Sequence, residues 1–113
     1  MNPNEYQKLA LRTAPDDILS NTKECLQNSA LGLCGEAGEF ADIIKKVYFQ
    51  NHTIDNEHLA KELGDVLWYI ALGANAIGYS IEDIMMMNIE KLKKRYPNGF
   101  DPNLSMHRVA GDI

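Results

Sequence analysis

The chain has 113 residues, enough for one domain with a modest core, and it carries a net charge of −5 with a pI near 5.1. An acidic chain without a basic stripe is not suited to duplex nucleic acid, so we expect no nucleic-acid partner. No apolar run approaches the roughly 20 residues that span a bilayer, and the start lacks the basic and apolar regions of a signal peptide. We therefore expect a single cytoplasmic domain over residues 1–113, with no membrane association.

The first predicted element is a short helix that begins at Asn2 and Pro3 and ends before Pro15. Asn2 suits the N-cap and Pro3 suits the first helical position. A much longer pattern follows, in which apolar residues recur every three or four positions. It predicts a long second helix with one buried stripe, which consists of Leu26, Ala30, Leu33, Ala37, Phe40, Ile44 and Val47.

Two carboxylates of this second helix share a face. Glu36 and Glu39 are three positions apart, so their side chains are neighbours displaced by about 4.5 Å along the axis. A single E-x-x-E pair is common on a solvated helix face. Here, however, the acids are accompanied by glycines, each of which costs a helix about 1 kcal/mol relative to alanine. Small residues beside acids indicate close approach by another helix or by a ligand; these residues are Gly32, Gly35, Gly38 and, downstream, Gly64.

A third helix is predicted after a polar connection at 50–56, with Asp55 or Asn56 as its N-cap. Gly78 is well placed to end this helix. Its second half, 68–74, has no polar face, which indicates burial on several sides, either inside the domain or against a second subunit, and we favour a subunit interface. The aromatic residues at the start of that half are expected to be core residues rather than a stacking platform.

The third helix repeats the acidic spacing at Glu62 and Asp65. If it packs antiparallel on the second helix, these two carboxylates and those of Glu36 and Glu39 converge on one small volume. Four such acids repel one another, so the cluster either raises its own pKa values or holds a hard cation. Mg²⁺ binds carboxylate oxygens while it keeps several waters. The sequence therefore predicts a Mg²⁺ site, with Mn²⁺ as a candidate substitute.

A fourth helix is predicted over 80–96, followed by a turn. Asn88, Lys91 and Arg95 fall at i, i+3 and i+7 and so share one face. This row suits a polyphosphate, because Arg binds phosphate bidentately, Lys supplies a point charge and Asn adds a neutral donor. Cations near a helix C-terminus also complement its dipole, and that interpretation stays open. The polar segment 101–113 has no periodicity, and we expect part of it to be mobile.

These motifs together resemble the MazG-like all-α nucleoside triphosphate pyrophosphohydrolases, the superfamily that includes dimeric dUTPases, dCTP pyrophosphatases and phosphoribosyl-ATP pyrophosphohydrolases. The resemblance covers residues 6–100. It rests on Gly-Glu-Ala-Gly-Glu at 35–39, on Lys-Glu-Leu-Gly-Asp-Val-Leu-Trp-Tyr at 61–69, and on Asn-Ile-Glu-Lys-Leu-Lys-Lys-Arg-Tyr-Pro-Asn-Gly-Phe at 88–100. The family pattern is an E-x-x-E followed, after a variable spacer, by an E-x-x-D. This chain matches it with Glu36, Glu39, Glu62 and Asp65.

The resemblance implies hydrolysis of a nucleoside triphosphate at the α-phosphorus to the monophosphate and pyrophosphate, in a role such as cleansing the nucleotide pool. By that resemblance all four acids bind Mg²⁺, and Asn88, Lys91 and Arg95 contact the triphosphate. Glu39 is the candidate catalytic residue that positions or deprotonates the attacking water, because we expect it at the edge of the cluster. The preferred base is not implied, since the small members of the family differ in substrate.

The expected fold is all-α, a four-helix-bundle-like MazG-type domain that forms a homodimer or homotetramer. Two other interpretations compete with this one. A di-iron carboxylate bundle needs Glu-x-x-His on two helices, and the nearest match here is Asp55-x-x-His58. A non-catalytic helical oligomerisation module that binds nucleotide and metal stays open, although the presence of all four acids argues against it. An enzyme would release pyrophosphate, whereas a binding module would only be stabilised by its ligands.

Overall fold

A computed structural model describes all of residues 1–113, and every regular element in it is a helix. The helices are α1 (Pro3–Leu11), α2 (Asp16–Leu19), α3 (Thr22–Phe49), α4 (Asn56–Ala76), α5 (Ile81–Arg95) and α6 (Pro102–Met106). The only β-type pairing is an isolated bridge at the turn, between Pro97 and Gly99. The all-α prediction is confirmed. The four predicted helices correspond to α1, α3, α4 and α5, whereas the short α2 and α6 were not predicted.

The residues that the sequence predicts as helix caps lie at the start of α1 and at both ends of α4. Asn2 accepts a hydrogen bond from the backbone N–H of Glu5 at 2.8 Å, and the Glu5 carboxylate accepts one from the backbone N–H of Asn2 at 3.2 Å. Asp55 caps α4 by accepting from the backbone N–H of His58 at 3.1 Å. Gly78 follows the last turn of α4 with φ +78°, a conformation that glycine adopts without strain.

Two compact units make up the chain, Met1–Ile81 and Glu82–Ile113. None of the helices in either unit is both long enough and apolar enough to cross a membrane.

In the first unit, α3 and α4 pack against each other in antiparallel fashion. The thiol of Cys25 lies 3.6 Å from the backbone oxygen of Leu72, and Gly32 lies against the ring of Tyr69. A residue later in α3 thus contacts a residue earlier in α4, as antiparallel packing requires. Of the four glycines predicted to allow close approach, Gly32 alone has such a neighbour in the chain, because nothing lies within 4 Å of a Cβ built on the other three.

The buried face of α3 differs from the predicted stripe. Cys25 and Ser29 are its buried residues, whereas Leu26 is 46% exposed and both Ala30 and Ala37 are exposed. The prediction of a buried apolar stripe is therefore wrong for these three positions, whereas the other four predicted residues are half-buried, namely Leu33, Phe40, Ile44 and Val47. The physical reason is that α3 packs on α4 through Cys25, Ser29 and Gly32, which form a face one residue away from the predicted stripe.

The first helix is fastened to α4 by polar side chains. The indole N–H of Trp68 donates to the backbone oxygen of Ala10 at 3.0 Å and to Oγ1 of Thr13 at 2.8 Å. The amide of Gln7 donates to the backbone oxygen of Ala71 at 3.3 Å and accepts from the N–H of Ile81 at 3.1 Å. Trp68 also packs on the core cluster of the unit, as expected for a core aromatic residue; that cluster comprises Ala14, Cys25 and Leu72.

The second unit contains α5, the turn at 97–99 and the segment that follows. The ring of Tyr96 packs on that of Phe100 across the turn, with 5.3 Å between centroids. Asp101 then caps α6 by accepting from the backbone N–H of Asn103 at 2.8 Å. Part of the aperiodic segment 101–113 is therefore helical. Its far end contacts α5 through a hydrogen-bonded ion pair between Asp112 and Arg95.

Candidate functional site

Three of the four predicted acids meet where α3 passes α4. Glu36, Glu62 and Asp65 each offer one carboxylate oxygen, and the three oxygens lie within 4.8 Å of one another. The antiparallel packing accounts for this meeting, because Glu36 lies one turn beyond Gly32 on α3 and Asp65 lies one turn before Tyr69 on α4. The close approach at Gly32 thus continues directly into the acidic cluster.

The fourth acid, Glu39, stands at the side of this group. It is exposed and is not among the three converging acids. It nevertheless affects the cluster. Burial raises the pKa of Glu36 above its ordinary value, and the negative charge of Glu39 and a hydrogen bond with it raise that pKa further. Glu36 therefore retains a proton more readily than an isolated glutamate does.

Two oxygens in the cluster are buried without a hydrogen-bond partner. They are Oε2 of Glu36 and Oε2 of Glu62. Buried polar atoms are nearly always paired, and a carboxylate oxygen can be satisfied by a cation instead of a donor. An all-oxygen carboxylate set is the one that Mg²⁺ and Mn²⁺ prefer. The residues present therefore fit a divalent cation.

His58 contacts the other oxygen of Glu62. Its Nε2 lies 3.2 Å from Oε1 of Glu62, one turn along α4. One oxygen of Glu62 thus contacts an imidazole, while the other is buried without a partner. The sequence predictions give His58 no role, although its i, i+4 spacing to Glu62 is the signal that could have revealed the contact.

Aromatic side chains form the wall beside the acids. A cavity of about 300 Å³ is lined by Glu36, Asp65, Trp68 and Tyr69. The two aromatic rings meet edge to face with 4.9 Å between centroids. Tyr6 of α1 lies near the same cluster, since burial and then the charge of Asp65 raise its pKa above 10.0. No sequence pattern pointed to Tyr6, because its neighbourhood depends on how α1 crosses α4.

The predicted basic row lies on α5 in the second unit. Asn88 is exposed, while Lys91 and Arg95 are half-buried. The guanidinium of Arg95 is engaged: its Nε donates to Oδ2 of Asp112 and its Nη2 donates to Oδ1, each at 2.8 Å. This bidentate contact holds the pKa of Asp112 well below its usual range and raises that of Arg95. No sequence pattern pairs Asp112 with Arg95.

Comparison with known proteins supplies the family. Residues 25–100 match the MazG nucleotide pyrophosphohydrolase domain. The Gene 37 protein of Mycobacterium phage L5 is 35% identical over 105 residues, which cover 88% of this chain and 92% of that protein. The uncharacterized protein YvdC of Bacillus subtilis (strain 168) is 34% identical over 73 residues, which cover 57% of this chain and 69% of that protein. No solved structure matches the chain. Since the domain match extends over well more than half of its length, the chain belongs to the MazG nucleotide pyrophosphohydrolase family.

Proposed function

We propose that this chain is a Mg²⁺-dependent nucleoside triphosphate pyrophosphohydrolase, for which Mn²⁺ is a substitute ion. It hydrolyses a ribo- or deoxyribonucleoside triphosphate at the α-phosphorus to the monophosphate and pyrophosphate. The observation that carries the proposal is the pair of buried, unpartnered carboxylate oxygens on Glu36 and Glu62 beside Asp65. Membership of the family supports the type of reaction.

Glu36, Glu62 and Asp65 would hold the ion, and we propose Glu39 as the fourth acid of the site. When bound, Mg²⁺ would neutralise negative charge on the phosphate oxygens and make a water easier to deprotonate. The contact between His58 and Glu62 supports this assignment, because it fixes one oxygen of Glu62 and leaves the buried one for the cation.

Glu39 is the proposed catalytic base. Its exposed side chain at the edge of the three-acid group supports this role, since it is open to a solvent water. Glu39 takes a proton from that water as the water oxygen bonds to the α-phosphorus. The bond from the α-phosphorus to the bridging α,β-oxygen breaks, and pyrophosphate leaves with that oxygen. A positioned base contributes about 10²- to 10⁴-fold to such a step.

The row on α5 is proposed to bind the triphosphate. Asn88 supplies a neutral donor, Lys91 a point charge and Arg95 a bidentate fork. Lys91 supports this role because it has no ion-pair partner in the chain. Arg95 differs, since Asp112 already occupies its Nε donor and one Nη2 donor. A phosphate that takes this same pair of donors must displace Asp112.

The proposal also covers the oligomeric state, the substrate and the cellular location. We propose a homodimer or homotetramer, and the support is that large apolar side chains are exposed on the single chain, among them Leu31, Leu63 and Ile77. We propose that the substrate is a small molecule from the cytoplasmic nucleotide pool, which the enzyme cleanses, and that neither nucleic acid nor membrane takes part.

The test is a product analysis. Purified protein is incubated with Mg²⁺ and each canonical, deoxy and common damaged nucleoside triphosphate, and pyrophosphate is separated from orthophosphate. We expect pyrophosphate and monophosphate from at least one nucleotide. The Glu62→Gln variant should lose this activity by about 10²-fold or more. Glu57→Gln is the matched control, because it makes the same charge change at an exposed position on the same helix and should leave turnover unchanged.

Failure would take a recognisable form. If no nucleotide releases pyrophosphate, yet nucleotide and Mg²⁺ together raise the melting temperature, the chain is a non-catalytic binding module instead.

A further inference from the structure

We propose that Asp112 is a resident carboxylate that occupies the Nε and Nη2 donors of Arg95, so that a polyphosphate, which makes further contacts, displaces it at a concentration at which a single phosphate does not. Asp112 would thereby lower the affinity of the row for phosphate and favour release of the product. This inference rests on the proposed function, since it concerns the same row of substrate-binding residues.

The geometry of the contact is that of a phosphate complex. A carboxylate on the Nε and Nη2 of a guanidinium uses the same parallel pair of donors that a phosphate uses. The Arg95 and Asp112 side chains are only 14% and 12% exposed, so the pair is largely shielded from solvent. A ligand phosphate cannot take those two donors while Asp112 holds them.

The segment that carries Asp112 is attached to α5 mainly by this ion pair. Arg108 also donates to Asp112, from Nε to the carboxylate and from Nη2 to the backbone oxygen, but Arg108 belongs to the same segment. The apolar side chains that could have anchored the segment are outside, since Val109 is 77% exposed and Ile113 is 90% exposed. Breaking the contact with Arg95 therefore removes the main polar attachment of residues 109–113 to the helix.

A cavity beside the pair gives an anion further cationic contacts. It has a volume of about 450 Å³ and lies between α5 and residues 109–113. Lys91 and Lys94 line it together with one acid of the helix, Glu90. Neither lysine has an ion-pair partner in the chain. A triphosphate can engage both lysines as well as Arg95, whereas a monophosphate or orthophosphate brings less charge to set against Asp112.

The function that follows is release of residues 109–113 by a polyphosphate and easier release of the product. A triphosphate gains enough contacts to displace Asp112, and the released segment no longer blocks the row. After hydrolysis, the monophosphate has fewer contacts with which to hold Asp112 away, so the carboxylate returns to Arg95. Because each ligand must displace the same carboxylate, Asp112 weakens binding of both by a similar factor.

Binding measurements test the inference without knowledge of the preferred base. Inorganic tripolyphosphate and orthophosphate are titrated by calorimetry, at a fixed excess of Mg²⁺, into the wild-type protein and the Asp112→Asn variant. We expect Asp112→Asn to bind orthophosphate and tripolyphosphate each at least fivefold more tightly, because neither anion then has to break the contact with Arg95. Asp101→Asn is the control, because it makes the same charge change in the same unit and asparagine also caps a helix.

A second measurement uses the wild-type protein alone and therefore does not depend on how the variant folds. Hydrogen exchange of residues 107–113 is followed with and without tripolyphosphate. We expect tripolyphosphate to accelerate exchange of this segment and orthophosphate to leave it unchanged at the same concentration. Unchanged exchange with bound tripolyphosphate would overturn the inference, and so would an Asp112→Asn variant that binds both anions as the wild type does or more weakly.

The two proposals fail separately. If nucleotides release pyrophosphate but tripolyphosphate never moves the segment, the inference about Asp112 is wrong and the proposed enzyme stands. If tripolyphosphate displaces the segment but no nucleotide is hydrolysed, Asp112 occupies an anion-binding site, and the chain is not the proposed enzyme.

Discussion

The ring of Tyr69 lies directly on the backbone of Gly32, so that a β-carbon at Gly32 would overlap the ring. This contact lets α3 and α4 approach closely one turn away from the acids. Glu36 follows Gly32 by four residues, and Asp65 precedes Tyr69 by four. The spacing of the acidic cluster is therefore set by a glycine–aromatic contact rather than by the acids themselves.

Substitution of Gly32 tests this relationship. In Gly32→Ala the new methyl group must push Tyr69 aside, and overpacking of this kind costs about 1 to 3 kcal/mol. Gly38→Ala is the control on the same helix, because no atom lies within 4 Å of the added carbon. That control should gain up to about 1 kcal/mol from helix propensity. Chemical denaturation measures both, and a Gly32→Ala variant as stable as Gly38→Ala would refute the close contact.

The raised pKa of Glu36 predicts how stability changes with pH. The folded state binds a proton at Glu36 more tightly than the unfolded state, so ionised Glu36 destabilises the fold above its folded pKa. This penalty disappears as the pH falls toward the ordinary value of 4.5. In EDTA, Glu36→Gln should therefore be more stable than the wild type near pH 7, and the difference should shrink toward pH 4.5.

Thermal unfolding with and without Mg²⁺ completes that test. Added Mg²⁺ should raise the melting temperature of the wild type and of the control Glu57→Gln, but not that of Glu36→Gln. A Glu36→Gln variant that is less stable than the wild type at pH 7 in EDTA would show that the cluster is not a site of repulsion.

His58 is expected to support the ion through Glu62. Its imidazole holds Oε1 of Glu62 at 3.2 Å, and loss of such an orienting contact typically weakens metal binding about 10- to 100-fold. Because His58 is largely exposed, we expect His58→Ala to fall at the lower end of that range. Electron paramagnetic resonance of free Mn²⁺ gives the dissociation constant. His52→Ala is the control at an exposed loop position, and equal Mn²⁺ affinities in the two variants would remove the role of His58.

Substitutions of Glu39 and of Asp65 should have different effects on Mn²⁺ binding. Both Glu39→Ala and Asp65→Ala should keep the fold, since each relieves repulsion among carboxylates. Asp65→Ala should lose Mn²⁺ binding together with turnover. Glu39→Ala should lower kcat by about 10²- to 10⁴-fold while it retains most of its Mn²⁺ affinity. Near wild-type turnover in Glu39→Ala would remove its proposed role, and loss of Mn²⁺ binding there would make it a ligand instead.

The sequence predicted the elements whose determinants are local. Asn2, Asp55 and Gly78 act within a few residues of themselves, so the ends of α1 and α4 could be predicted from capping and turn chemistry. The E-x-x-E and E-x-x-D spacings are likewise local, and they predicted which acids would face each other once the helices pack antiparallel.

What the sequence could not predict depends on contacts between distant residues. Asp112 reaches Arg95 across 17 positions, and no periodicity connects the two. The apolar stripe of α3 was misassigned for a related reason. Periodicity locates an apolar face, but the choice of which face packs on α4 was decided by the size of Ser29 and Gly32, and the more apolar positions such as Leu26 lie outside that contact.

In the proposed reaction, water attacks the α-phosphorus of a nucleoside triphosphate. The most direct test is hydrolysis in ¹⁸O-labelled water with Mg²⁺, followed by mass spectrometry of the products. Attack at the α-phosphorus places the label in the nucleoside monophosphate and leaves pyrophosphate unlabelled, and this is the result that we predict. Label in pyrophosphate, or orthophosphate as the labelled product, would contradict the account.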